Sequence, residues 1–329
     1  MLALAAGIAI PAASASAGPV KGASSSPGAT LRDLRFGIRL LDTPLAEAQD
    51  PRAQQSIIDV LPTGSSIDPR ILIVNNEPAV GVFAVFPGAA QISNGQFTGV
   101  ADGVGNELTP WITVQHPTIR LGPGQSAMDR VIIRVPRGAT KGEHYGVIWA
   151  EQAAPARDSR GVAVRMTARI GIRIYLGVGR GGLPPTRFEI MSITGQRPAP
   201  SRPRLIVHVN NVGGRAVDLV GKVRLTNGPG GSTAGPFTPQ QMVTLAPGQS
   251  GNVIFALPAA LPAGPWIANL TLQSGLYVAT TQATVLFSTP ALRSGTSAAA
   301  LAGAAVVLAL IVIPAFMAIR GRRARRALA

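Results

Sequence analysis

Residues 162–178 read VAVRMTARIGIRIYLGV. Met166, Ala168, Ile170, Ile172, Ile174, Leu176 and Val178 share one parity; Arg165, Thr167, Arg169, Gly171, Arg173 and Tyr175 share the other. Strand side chains alternate between the two faces of a sheet, so this run predicts one long β-strand with a buried face and a polar face. Shorter apolar runs precede it at 35–40, 57–60, 67–75, 80–86, 111–114, 118–121, 128–135 and 144–151. Others follow at 187–194, 204–210, 217–226, 242–245, 251–257, 265–273 and 276–287. Turn residues separate them, among them Asn94-Gly95 and Gly122-Pro123-Gly124. Only 44–56, PLAEAQDPRAQQS, has a helical composition, enough for one or two turns.

The chain also states one plan twice. Val74-Asn75-Asn76, then LGPGQS at 121–126, Val135-Pro136 and Gly142 make the first copy. Val209-Asn210-Asn211, LAPGQS at 245–250, Leu257-Pro258 and Gly264 make the second. An aromatic strand follows each, HYGVIW at 144–149 and PWIANL at 265–270. Each copy is far longer than a solenoid repeat. Many short strands with no helices between them predict an all-β chain of two tandem Ig-like antiparallel β-sandwich domains, at 32–180 and 185–288. The stretch between them, GRGGLPP, reads as a linker.

The ends read differently. Residues 1–17 resemble a signal peptide, with an apolar run and Ala15-Ser16-Ala17 as the cleavage site. Residues 18–31 are small and polar and predict a disordered leader. Residues 298–319 carry no charge over a length that suits a C-terminal transmembrane α-helix, since a bilayer-spanning helix needs roughly 20 residues. A short stalk, 289–297, precedes it. The basic tail, 320–329, would face the cytoplasm, which predicts a single-pass type I topology. Net charge is +15, and Lys21, Lys141 and Lys222 are the only lysines, so arginine supplies nearly all of the basic side chains. That balance favours an anionic partner. The Arg, Ala, Gly and Pro usage fits a GC-rich coding sequence of the actinobacterial kind.

No catalytic constellation stands out. There is no cysteine, and His116, His144 and His208 are dispersed, so no metal or other cofactor is expected. GVGRGG at 177–182 is followed by Leu183-Pro184-Pro185, which starts no helix and so gives no dinucleotide site. No GxSxG occurs, and the chain is read as a non-enzyme. The candidate binding surface is Arg165, Arg169 and Arg173, with Tyr175 beside them and Trp111 as a stacking ring. Guanidinium groups suit carboxylates and phosphates. The expected topology places this stripe outside the cell, which argues against nucleic acid.

Asn106-Glu107-Leu108 through Trp111, the PGQS turn, Val135-Pro136, GEHYGVIWAE (142–151) and RIGIRIYLGVG (169–179) resemble the WxL-interacting proteins, surface proteins of Gram-positive bacteria. The resemblance implies a non-enzymatic, membrane-anchored protein that binds peptidoglycan or an associated anionic wall polymer and scaffolds a secreted WxL-type partner. The alternative is a strand-accepting chaperone or assembly module for a secreted protein, since tandem Ig-like domains offer open sheet edges. A wall hydrolase is the third reading.

Overall fold

The computed structural model describes residues 35–44, 47–100, 104–157, 162–199 and 202–288, with backbone alone at 154–157 and 163–165. The signal peptide, leader, stalk, membrane helix and basic tail expected at 1–17, 18–31, 289–297, 298–319 and 320–329 lie outside the described residues. The first half forms β1 (Phe36–Leu40), β2 (Ile57–Leu61), β3 (Ser66–Ile67), β4 (Arg70–Asn75), β5 (Gly81–Ser93), β6 (Gln96–Gly99), β7 (Ile112–Val114), β8 (Thr118–Leu121), β9 (Ser126–Arg134), β10 (Gly142–Arg157) and β11 (Ala163–Val178). The second forms β12 (Phe188–Gln196), β13 (Arg204–Asn211), β14 (Val217–Thr226), β15 (Ala234–Phe237), β16 (Val243–Leu245), β17 (Ser250–Ala256), β18 (Gly264–Ser274) and β19 (Tyr277–Phe287).

The strands make four sheets. In the first half, β1-β4-β9 with β3 and β7 faces β2-β11-β10-β5 with β6 and β8. Ile71, Ile73, Val131 and Ile133 of the first sheet meet Phe83, Val85, Ile148, Ile172 and Ile174 of the second. In the second half, β12-β13-β17 faces β14-β18-β19 with β15 and β16, over Leu205, Val207, Phe255, Leu225, Trp266 and Leu272. Each such side chain contributes roughly 1.5–3 kcal/mol by leaving water. All the pairings are antiparallel except β2 with β11.

The repeated sequence elements do the same work in both halves. Asn75 and Asn211 are fully buried. Asn75 Nδ2 donates to the Leu121 carbonyl at 3.0 Å, and Asn211 Nδ2 to the Leu245 carbonyl at 2.9 Å. Their backbone N–H groups reach the carbonyls of Gln125 and Gln249, each at 2.9 Å. The glutamine side chains close their own turns, taking the N–H of Gly122 at 2.8 Å and of Ala246 at 3.1 Å. An amide can serve donors and acceptors at once, which is why a buried turn uses Asn and Gln.

Two expectations need correction, and a third is met by a single turn. β5 runs on past residue 86 and turns back as β6 through Asn94-Gly95, with φ of 51° and 73°. Two positive φ values mark the turn that matches strand twist, and Asn-Gly supplies them cheaply. Gly95→Ala is therefore expected to cost about 1 kcal/mol, read as a fall in urea midpoint at unchanged slope. The helical stretch 44–56 is, in its described part, a 3-10 turn at Pro51–Gln54. β11 has no solvated polar face along its second half. A third cluster of Ile58, Ile92, Phe97, Val147, Trp149, Tyr175 and Ala216 covers that side. Trp149 lies flat there because Gly88, Gly99 and Gly171 leave room; a Cβ on them would sit 2.4, 2.6 and 2.4 Å from the nearest side-chain atom.

Candidate functional site: an open strand edge beside a buried ionic joint

β11 is paired with β10 over its whole length, Ala163–Arg157 to Val178–Gly142. On its other side β2 covers it only from Ile174 to Val178. The cause lies in the connection before β2. The chain leaves the first sheet at Leu40, is turned by the Pro51–Gln54 segment, and enters the second sheet at Ile57. Asp50 caps that turn by accepting from the Arg52 N–H at 2.9 Å, with Pro51 fixing the first position. Ala163–Arg173 is thus a sheet edge with no strand paired to it among the described residues. β5 pairs with β10 only from Gly146 to Gln152, so the hairpin beyond Ala153 and Thr167 stands as a two-stranded arm.

The orientation of the edge follows from one bond. Gly179 N–H donates to the Leu61 carbonyl at 3.0 Å, so odd-numbered residues of β11 point their backbone groups toward β2. Farther up the strand, Thr167 and Gly171 aim theirs at the open side. Side chains of the even residues face the sandwich interior: Ile170 and Ile172 are buried, Ala168 is half-buried, and Met166 at the mouth is 50% exposed. β1 is the edge of the facing sheet and touches β11 across the core, with Phe36 and Ile38 turned inward.

The residues singled out from sequence divide between this edge and a joint with the second sandwich. Arg165 lies on the arm. Arg169 pairs with Glu151 and lies over the Phe86 ring, 5.4 Å from its centroid. Arg173 stacks on Phe97 at 5.0 Å and reaches Asp218 Oδ1 at 3.4 Å. Tyr175 is 2% exposed and donates to the same oxygen at 3.1 Å. Trp111 is 7% exposed and packs 4.9 Å from the His144 ring. Arg173, Tyr175 and Trp111 are therefore not open to a polymer in solvent. Alternation places Arg173 and Tyr175 on one face, which the second sandwich covers in a way that periodicity does not report; Trp111 belongs to the core of the first half.

The joint is dense in charge. Asp218 also accepts from Thr244 Oγ1 at 2.6 Å, and Arg52 Nη1 lies 4.0 Å from its other oxygen. Arg52 holds Asp50 at 2.8 Å and the Ala216 carbonyl at 2.9 Å. Arg215 reaches Glu47 and Asp50, both at 3.2 Å. Burial works against the charge on Asp50, yet the hydrogen bonds and charge of Arg52, with Arg215 behind, hold its carboxyl below the usual range. Glu143 is different: burial pushes its carboxyl up, and its partners, Tyr145 Oη at 2.8 Å and the Ala216 N–H at 2.7 Å, are neutral. The β5–β6 hairpin adds a second tie, with Thr244 N–H donating to the Gly95 carbonyl at 2.9 Å. Sequence reasoning missed Asp50, Arg52, Glu143 and Asp218. Asp50-Pro51 was legible as a capping signal, but nothing local says that its carboxylate meets an arginine from the second half. No group of three or more metal-ligating side chains occurs among the described residues.

No family model matches the chain, and no curated protein matches it. Solved structures similar to it include the CupB2 chaperone of Pseudomonas aeruginosa, 13% identical over 70% of this chain and 98% of that one, with a TM-score of 0.36. The YadV chaperone is 10% identical over 76% and 100%, at 0.40. The Salmonella enterica SafA pilin in complex with the SafB chaperone is 11% identical over 76% and 96%, at 0.39. At this distance no residue and no role is carried over. The WxL-interacting resemblance does not stand: no family model supports it. With it fall the Gram-positive wall setting, peptidoglycan or wall polymer as ligand, and the WxL partner. The single-pass anchor finds no support among the described residues. No helix among the described residues is long and apolar enough to cross a membrane, and residues 298–319 lie outside them.

Proposed function

We propose that this chain is a non-enzymatic assembly module that pairs with an extended segment of a secreted protein along the Ala163–Arg173 edge of β11. The unpaired edge carries this reading: its backbone groups are lined up beside Met166 and Ala168, at the mouth of an apolar seam bounded by β1. Strand addition draws affinity from main-chain hydrogen bonds and specificity from alternate side chains. One of the solved structures named above holds a chaperone in complex with a pilin; the open edge supports the reading without it.

Thr167→Pro tests it. The Thr167 N–H faces the open side, so proline removes a docking donor while sparing the ladder with β10. Full chain and variant are compared for co-purifying secreted proteins from their own cell. The expected result is a loss of at least about tenfold in bound protein, matching one lost hydrogen bond plus a steric block, with little change in thermal midpoint. Equal capture by Thr167→Pro would sink the proposal.

A further inference from the structure

The side of the β5–β10–β11 sheet turned away from the first core carries an open-sided cleft of about 390 Å³, with Phe86, Val100, Val104, Trp149, Glu151 and Arg169 in its lining. Every lining residue belongs to the first half, so the cleft lies apart from the joint. Two polar groups in it lack a partner among the described residues. One is the indole N–H of Trp149, which is 4% exposed; the equally buried Trp266 N–H has the Pro262 carbonyl at 3.1 Å. Buried indole N–H groups ordinarily find an acceptor. This one borders the cleft, because Nε1 lies at Gly88, where a Cβ would come within 2.4 Å of it, and Gly88 is part of the lining. The other is Oε1 of Glu151, whose Oε2 takes the Arg169 guanidinium.

We propose that this cleft binds a carboxamide, the side chain of an asparagine or glutamine presented by a peptide. The ion pair makes the site neutral: Arg169 and Glu151 cancel, so a carboxylate is repelled by Glu151 and an ammonium by Arg169. The site calls for one acceptor at the indole N–H and one donor at Glu151 Oε1. A carboxamide carries both, on separate arms. Trp149 and Glu151 stand two residues apart on one face of β10, about 7 Å along the strand. Two hydrogen bonds of about 2.9 Å meeting at a single hydroxyl oxygen do not cover that span, and the two arms of an amide extend it. Phe86, Val100 and Val104 give the methylene groups apolar contact. This inference stands whether or not β11 takes a partner strand.

The full chain has three tryptophans, so nitrogen-15 labelling gives three indole signals. Nuclear Overhauser contacts to the Gly88 and Gly99 α-protons identify that of Trp149. The probes are the tripeptides Ala-Gln-Ala, Ala-Glu-Ala and Ala-Leu-Ala, each blocked at both ends. Ala-Gln-Ala is expected to move the Trp149 signal saturably and to leave that of Trp266, already bonded, in place. The other two are expected to bind at least about tenfold more weakly, matching one lost hydrogen bond. Glu151→Gln turns the open acceptor into a donor while keeping an oxygen for Arg169, so it is expected to prefer the glutamate peptide to the glutamine peptide. A merely structural role for Glu151 would move both affinities alike. No saturable shift with Ala-Gln-Ala up to about 10 mM, equal shifts with all three peptides, or an unchanged preference in Glu151→Gln overturns the proposal.

Discussion

Asp218→Ala is expected to lower the unfolding free energy by about 3–5 kcal/mol, the range for removing one member of a buried ion pair. Asp218 is the hub of the joint: Thr244 Oγ1, Tyr175 Oη and Arg173 all meet its Oδ1, at 2.6, 3.1 and 3.4 Å, and Arg52 stands at its other oxygen. Its deletion leaves one largely buried guanidinium group, that of Arg173, without a carboxylate. Arg52 still has Asp50, but Arg173 keeps only the Phe97 ring and the Tyr175 hydroxyl. The cost is mainly that of uncompensated buried charge, more than the worth of any one bond. Asp218→Asn separates the two: it keeps an oxygen for Thr244 and Tyr175, so its loss should be clearly smaller. Urea denaturation of the full chain gives both numbers, and a cost below about 1 kcal/mol for Asp218→Ala would mean that water replaces the carboxylate readily.

Trp266→Ala is expected to cost about 3–5 kcal/mol as well, by a different route. Trp266 on β18 is 1% exposed and central to the second core. Its ring lies on the backbone of Gly228, where a Cβ would come within 2.4 Å of it, and its Nε1 donates to the Pro262 carbonyl at 3.1 Å. Alanine leaves a cavity and an unmet carbonyl. Rigid strands on both sides limit how far the core can collapse into the gap. The fall in thermal midpoint measures the effect. Gly228→Ala is expected to destabilise through the same contact, because neither ring nor backbone can yield by an ångström.

These residues show how far sequence reaches. Trp266 was legible: an aromatic residue on an alternating strand, in the second copy of a repeated plan, is a core residue. The Asn75 and Asn211 positions were legible as strand-end chemistry, and the structure supplies the partners, the Leu121 and Leu245 carbonyls. Asp218 was not legible. Within Val217–Thr226 it reads as one polar residue on a strand, and its significance comes from Arg52, Arg173 and Thr244, all far away in sequence. Trp111 was placed at a binding surface because aromatic rings serve equally in cores and at sugar-stacking sites, and composition cannot separate the two.

By itself, the sequence determined that the described chain is all β, that it carries two copies of one strand-and-turn plan, and where the long strand 162–178 lies. Those are local properties: alternation, turn residues and spacing act within a few residues, so they are written in the order of the chain. Only the tertiary structure decided that the polar side of β11 is sealed by the second sandwich near Arg173 and Tyr175, while its edge stays open from Ala163 to Arg173. Burial and pairing of a strand depend on what lies beside it in space. For β11 that is set by where β2 stops and where Asp218 arrives, and the period of β11 contains neither.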